Sequence, residues 1–264
     1  MHTALLIVDP QVDFCEPRGA LYVPGAEADM TRLAALVRRA GSEIDAIHVT
    51  LDSHHPVHIA HPLFWQDAEG QPPSPLTLIQ AVAVERGWWR TTEPDLQERA
   101  WEYVRALEAG GRYVLCLWPP HCLLGGPGHA VAPELWDALT EWESSRFRIV
   151  DYVQKGSNPL TEHYSAFRAE VPDPADPNTQ LNTALVDALA RADTILVAGE
   201  AGSHCVASSV RDLADALGDE GVPKIVLLTD AVSPVTSFER FQDEFVRDLT
   251  ARGMRTAATT DFLP

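Results

Sequence analysis

The sequence predicts an α/β protein with a mostly parallel central sheet covered by helices, and three observations carry that expectation. Short apolar runs alternate with helical patterns almost to the C-terminus. The runs lack the two-residue alternation of a sheet with one wet face, so both faces should be buried, as where helices form the crossovers. Residues able to do chemistry come just after the runs, which is where the crevice of an open α/β sheet lies.

Taken in order, residues 4–8 form a wholly apolar first strand ending at Asp9. The three residues before it hold no basic region or cleavage site, so a strand is expected there and not a signal peptide. A helical pattern over 28–40 leads to a second strand, 46–51, which ends at Asp52-Ser53-His54. Residues 56–111 then break the alternation with Gly70-Gln-Pro-Pro-Ser-Pro75, Trp88-Trp89 and a helical pattern from 93 to 109. An insertion of that length in a compact domain reads as a lid or mobile segment. A third strand is expected at 113–118, before Pro119-Pro120-His121-Cys122. A helix over 132–142 precedes a fourth strand at 147–153, with Lys155 beyond it. After a Pro/Asp-rich loop at 170–178 come a helix at 179–192, a strand at 194–198, a helix at 205–217, a strand at 225–229, a helix at 238–252 and a weak strand near 254–258. No linker divides the 264 residues, so one domain, 1–264, is expected, with the lid-like segment at about 56–111 inserted in it.

Composition narrows the class. An apolar content of 45% and a charged content of 22% are ordinary for a soluble globular chain. A net charge of −18 argues against nucleic-acid or anionic-membrane partners, whose phosphates require Lys and Arg. No apolar run approaches the roughly 20 residues that span a bilayer. Cys15, Cys116, Cys122 and Cys205 show no paired spacing, which suits free thiols in a reducing, cytoplasmic compartment.

Cys205 stands where a strand turns into a helix, among free backbone N–H groups at the positive end of the helix dipole. That setting should lower a thiol's pKa and favour a nucleophilic thiolate, although a small buried cysteine is the alternative reading. Asp52 and His54, two apart on an extended chain, point the same way, and His55, His58 and His61 follow. Mixed carboxylate and imidazole donors suit Zn²⁺, Mn²⁺ or Fe²⁺, with His121 able to complete the site; a solvated polar loop is the other reading. Lys155 is one of two lysines against eighteen arginines, a compact charge in a chain that otherwise uses guanidinium. Asp9, at a strand end, is a candidate proton carrier. Gly125-Gly-Pro-Gly128 has no phosphate-binding pattern and reads as a tight loop.

These residues resemble the isochorismatase-like cysteine hydrolases, and within them the nicotinamidase and pyrazinamidase branch. Leu6-Ile-Val-Asp9-Pro-Gln11-Val-Asp-Phe14 resembles the motif with the catalytic aspartate. Asp52-Ser-His54 and Trp118-Pro-Pro-His121-Cys122 resemble the metal motifs, and Lys155-Gly with Tyr164-Ser-Ala-Phe167 the catalytic-lysine segment. Gly199-Glu-Ala-Gly-Ser-His-Cys205-Val resembles the nucleophile turn. The resemblance implies a three-layer α/β/α fold and an Asp9–Lys155–Cys205 triad, with an oxyanion hole from the backbone of Ala201 and Cys205. It also implies one divalent metal on Asp52, His54 and His121 with His61 preferred over His58 as a fourth ligand, Zn²⁺ first among candidates. Phe14, Trp118 and Tyr164 would wall a pocket for a small amide substrate. A cis peptide is implied between Glu200 and Ala201. The implied reaction is hydrolysis of nicotinamide to nicotinate and ammonia through a thioester, in NAD salvage. Two departures stand out: a longer stretch between Asp52 and His121, and Ser203 where the family commonly has Asp. Another small amide or N-carbamoyl substrate, a metal-dependent hydrolase with a structural Cys205, and an inert acidic interaction protein are the alternatives. Self-association stays open.

Overall fold

The computed structural model describes residues 2–261. Six strands form one wholly parallel sheet: β1 (Thr3–Val8), β2 (Ala46–Asp52), β7 (Asp151–Lys155), β8 (Thr194–Gly199), β9 (Ile225–Leu228) and β10 (Arg255–Ala257). Their order across the sheet is β10-β9-β8-β1-β2-β7. Every residue of β1 and β8 is buried, which is why both read as unbroken apolar runs. Full burial of side chains such as Leu5, Leu6 and Ile7 stabilises the sheet by roughly 1.5–3 kcal/mol each.

The chain leaves β1 through α1 (Val12–Cys15) and α2 (Ala26–Ala40), and reaches β7 after α5 (Pro133–Arg146). It then crosses back through α6 (Thr183–Ala190) to β8, and continues outward through α7 (Cys205–Leu217) and α8 (Glu239–Ala251). Right-handed crossovers in opposite directions place α2 and α5 on one face and α6, α7 and α8 on the other. The packing agrees: α2 lies on α5, and α7 lies between α6 and α8. Strand order reverses between β1 and β8, so the crevice beyond their carboxyl ends is where such a sheet holds its ligand.

The inserted stretch supplies β3 (Trp65–Gln66), β4 (Leu78–Ile79), α3 (Ala81–Glu85), β5 (Arg90–Thr91) and α4 (Gln97–Gly110), and β6 (Leu115–Cys116) follows it. The expected third strand at 113–118 does not join the central sheet. Only β6 is extended there, and it pairs antiparallel with β4. The insertion takes up the neighbouring backbone groups: Leu117 N–H donates to the Thr77 carbonyl and Trp118 N–H to that of Ala60. The expected fourth strand also shifts, from 147–153 to Asp151–Lys155. The preceding helix runs on to Arg146 and is closed by Phe147 at φ 51°. The helix expected at 179–192 starts only after Asn182, whose side chain accepts the N–H of Leu185. Among the described residues no helix is long and apolar enough to cross a membrane. All four cysteines are free and buried.

Candidate active site

The parallel pairing of β2 with β7 sets Asp52 opposite Lys155, although 103 residues separate them. Both close their strands, and Asp9 follows β1 while Cys205 opens α7 beyond β8. Four strand ends therefore meet at the carboxyl edge of the sheet.

The Lys155 ammonium is the centre of the group. Its Nζ lies 2.8 Å from Asp9 Oδ2 and 3.0 Å from Asp52 Oδ1. It also donates to the His163 carbonyl at 2.9 Å and to Cys205 Sγ at 3.7 Å. Burial disfavours this charge, but Asp52 and Asp9 outweigh burial and hold Lys155 well above the ordinary lysine range. Burial alone would raise Asp52, yet His54 and Lys155 prevail, and its carboxyl stays well below the usual range. Asp9 moves the other way: burial raises it, Asp52 adds to that, and Lys155 opposes. Thr50 Oγ1 donates to Asp9 Oδ1 at 2.5 Å and accepts the Asp9 N–H at 3.0 Å, so one hydroxyl locks the carboxylate to the strand. The Gln11 side chain clamps Asp52 in a comparable manner, donating to its carbonyl at 2.8 Å and accepting its N–H at 2.7 Å.

The expectation of a lowered Cys205 pKa is corrected here. Burial pushes the thiol well above its usual range, Lys155 pulls it back only in part, and both aspartates push it further up. A thiol of this kind rests protonated, and Asp9, with its raised proton affinity, lies beside it. The Glu200–Ala201 peptide is cis, as the resemblance implied. Among the described residues, the N–H groups of Ala201 and Cys205 take part in no turn or loop hydrogen bond. The oxygens of Asp9 and Asp52 and the sulfur of Cys205 also lie within 4.8 Å of one another, a spacing that could suit a metal. That volume already holds the Lys155 ammonium, which is the cation there.

A second cluster adjoins Asp52 on the side away from Lys155. His54 Nε2 lies 3.0 Å and His121 Nε2 3.4 Å from Asp52 Oδ2. His58 and His61 pack around His54, with ring centroids 4.4 and 5.3 Å from it. Candidate donor atoms group as Asp52, His54 and His121, and as His54, His58 and His61. Hydrogen bonding separates the last two. His121 Nδ1 faces the Pro119 carbonyl at 2.8 Å and His61 Nδ1 the Pro56 carbonyl at 3.3 Å. A carbonyl only accepts, so each Nδ1 carries the proton and each Nε2 keeps a free lone pair. His58 is the reverse: its Nδ1 accepts the Ala60 N–H at 3.1 Å, which leaves the proton on Nε2. Buried His61 Nε2 has no hydrogen-bond partner, and burial pushes His61 down to about 3, which keeps the ring neutral. Burial would lower His54, but Asp52 outweighs it and holds the ring above its ordinary range; one carboxylate among clustered imidazoles is the donor chemistry that a borderline divalent cation takes in place of the proton.

Of the expected pocket walls, Phe14 stands edge-on to His121 at 5.3 Å. Trp118 donates its indole N–H to Tyr164 Oη at 2.9 Å, and both rings pack on His204. Sequence reasoning passed over Thr50, His163 and His204 as site residues. His204 alone had a signal, its place beside Cys205 in the nucleophile turn. Gly156, the residue after Lys155, is required by close approach: at φ +81°, a Cβ there would lie 2.8 Å from Asp52 Oδ1.

No protein-family model matches this sequence, and no curated protein does. Solved structures do. The Acinetobacter baumanii nicotinamidase pyrazinamidase superposes with a TM-score of 0.66 at 20% identity, covering 99% of this chain and 98% of that one. PnC1 from L. infantum, solved in complex with nicotinate, gives 0.62 at 21% identity over 98% and 93%. The pyrazinamidase of Pyrococcus horikoshii, in complex with zinc, gives 0.57 at 18% over 98% and 99%. These likenesses establish a shared fold: the expected α/β architecture, a parallel sheet between two helical layers, is the one these hydrolases have.

Proposed function

We propose that this protein is a cysteine-dependent amidohydrolase of small aromatic carboxamides, nicotinamide foremost. The observation that carries the reading is the meeting of Asp9, Lys155 and Cys205 at one ammonium beside a histidine cluster. The nicotinate held by the L. infantum protein and the zinc held by the Pyrococcus one support it.

In this mechanism Cys205 Sγ attacks the carboxamide carbon while Asp9 accepts the thiol proton. The backbone N–H groups of Ala201 and Cys205 receive the developing oxyanion. As the carbon–nitrogen bond breaks, Asp9 delivers its proton to the departing nitrogen, ammonia leaves and a thioester remains. Asp9 then takes a proton from water, whose oxygen attacks the thioester; the acid departs and the thiol recovers its proton. Lys155 keeps Asp9 in place and offsets the negative charge that forms between the two. Asp52, His54, His121 and His61 would hold one divalent cation, Zn²⁺ before Mn²⁺ or Fe²⁺. When bound, it supplies a Lewis-acidic partner for a ring nitrogen. Phe14, Trp118 and Tyr164 wall the pocket, and the 56–111 insertion covers it as a lid. Four free buried cysteines favour a reducing, cytoplasmic setting.

Ammonia release from nicotinamide, benzamide and an N-carbamoyl amine, measured side by side, tests the reading. Benzamide has the same shape without the ring nitrogen, so its kcat/KM should be lower by on the order of 10²-fold, as when a polar site is left unpaired. Preference for the carbamoyl compound would overturn the substrate assignment. Turnover that survives complete alkylation of Cys205 would overturn the mechanism.

A further inference from the structure

A cavity of about 350 Å³ shares Tyr164 and His204 with the surroundings of the nucleophile. Its other walls include Leu78 of β4, Tyr113 before β6, and Phe238 and Phe241 at the start of α8. The volume lies in the range of small-molecule sites, and aromatic lining with few polar groups is their usual character.

The polar groups here are specific. Ser203 Oγ accepts the Val235 N–H at 3.1 Å and lies 2.9 Å from His204 Nδ1. Its one hydroxyl proton has no other acceptor among the described residues, so it goes to Nδ1, and His204 carries its own proton on Nε2. His204 is buried and neutral, with burial pushing its pKa down to about 3. Tyr113 stacks on the same imidazole at 5.4 Å, with 19° between the rings. The two charged wall residues are engaged elsewhere. Arg112 pairs with Asp212 at 2.8 Å, and Glu108 accepts the Ala81 N–H at 2.8 Å. Apart from these two, the cavity thus offers flat aromatic surface with the neutral His204 imidazole and two tyrosine hydroxyls as its side-chain polar groups.

We propose that this cavity is a second substrate subsite, which takes an uncharged aryl group joined to the amide-bearing ring through a hydrogen-bond-accepting linker such as a carbonyl. The proposal rests on the amidohydrolase reading, because it places the occupant next to Cys205. Tyr164 and His204 line the cavity, while Trp118, bonded to Tyr164, and Cys205, next to His204, belong to the catalytic pocket. Ser203 has a definite role in this scheme: its uncharged hydroxyl leaves burial to keep His204 neutral, whereas a carboxylate there would favour the imidazolium.

The test uses nicotinamide and a panel of nicotinamides with benzoyl or benzyl groups at each open ring position. Turnover is measured on the parent protein, Leu78→Trp and Phe241→Ala, and binding is measured by calorimetry on Cys205→Ala. The best benzoyl compound should exceed both nicotinamide and its benzyl partner in kcat/KM and affinity. Narrowing the cavity with Leu78→Trp, or stripping its wall with Phe241→Ala, should cost that compound about tenfold or more, the scale of an altered apolar pocket. Nicotinamide turnover should change less than about twofold. If no extended amide binds or reacts better than nicotinamide, or if both variants lower all substrates equally, the subsite is refuted while the amidohydrolase reading stands. If nicotinamide and every panel member are inert on the parent protein but the benzoyl compound still binds, the catalytic reading fails alone.

Discussion

Replacing Lys155 with Met should turn the centre of this site from a stabilising arrangement into a destabilising one. The ammonium lies between Asp9 and Asp52, at 2.8 and 3.0 Å, and all three groups are buried. Removing one member of a buried ion cluster leaves charge uncompensated, at about 3–5 kcal/mol. The sign of the pH dependence follows from the carboxylates. In the parent, Asp52 is held below its unfolded value, so its stabilisation is present above about pH 4 and is lost as the pH falls through the folded value. Without Lys155, Asp52 still faces His54, but Asp9 loses the opposing pull on a pKa already raised by burial. A carboxyl raised further in the fold costs stability above its unfolded pKa, by up to about 1.4 kcal/mol per pH unit until it ionises. The variant's deficit should therefore grow between pH 5 and 8. Urea unfolding of parent and variant across that range, with chelator present so that metal occupancy does not contribute, measures it. Adding Asp9→Asn to Lys155→Met should recover much of the loss at pH 8. A deficit below about 1 kcal/mol at pH 7, or one equal at pH 5 and pH 8, would refute the reasoning.

Cys205→Ala should abolish amide turnover while the protein stays folded, whereas Cys15→Ala, Cys116→Ala and Cys122→Ala should each retain activity; steady-state ammonia release separates them. Elemental analysis should find about one equivalent of divalent metal, as one ligand set of this kind holds. His61→Ala should weaken metal retention by roughly 10-fold or more, and His58→Ala by less, because His61, unlike His58, presents a free Nε2 lone pair; competition with a chromogenic chelator reads both. Gly156→Ala, at φ +81° with its Cβ 2.8 Å from Asp52 Oδ1, should lose about 1–3 kcal/mol in thermal unfolding and shed metal. Retention of both would mean the loop yields more easily than its contacts suggest.

The buried strands were the most legible elements. β1 and β8 are continuous apolar runs because both faces of the sheet are covered, and burial leaves that mark on every residue. Asp9, Asp52 and Cys205 could be found for the same reason, since each stands at or just beyond the end of a largely buried strand; Lys155 ends β7, a mostly exposed edge strand, and was marked instead by the rarity of lysine in this chain. The segment at 113–118 was misplaced because its apolar character is local, whereas its partner is not. Leu78–Ile79, in the irregular first part of the insertion, claims its edge. Thr50 was missed because a threonine inside a strand has no mark to distinguish it, and only the neighbouring β1 turns its hydroxyl toward Asp9.

By itself, the chain's pattern of apolar runs, turns and strand-end polar residues determined the fold class and the set of side chains gathered at the sheet's carboxyl edge. Both follow from short-range chemistry: alternation, capping and the exit of each strand into a loop. Tertiary structure alone decided how those side chains behave. The β2–β7 register brings Lys155 against Asp52 across 103 residues. Two proline carbonyls and one backbone N–H set which nitrogen of His121, His61 and His58 holds a proton. At Cys205, the helix terminus and Lys155 argue for a low thiol pKa, but the packed interior raises it. Desolvation depends on everything that surrounds a group, and a linear sequence names only the neighbours on either side.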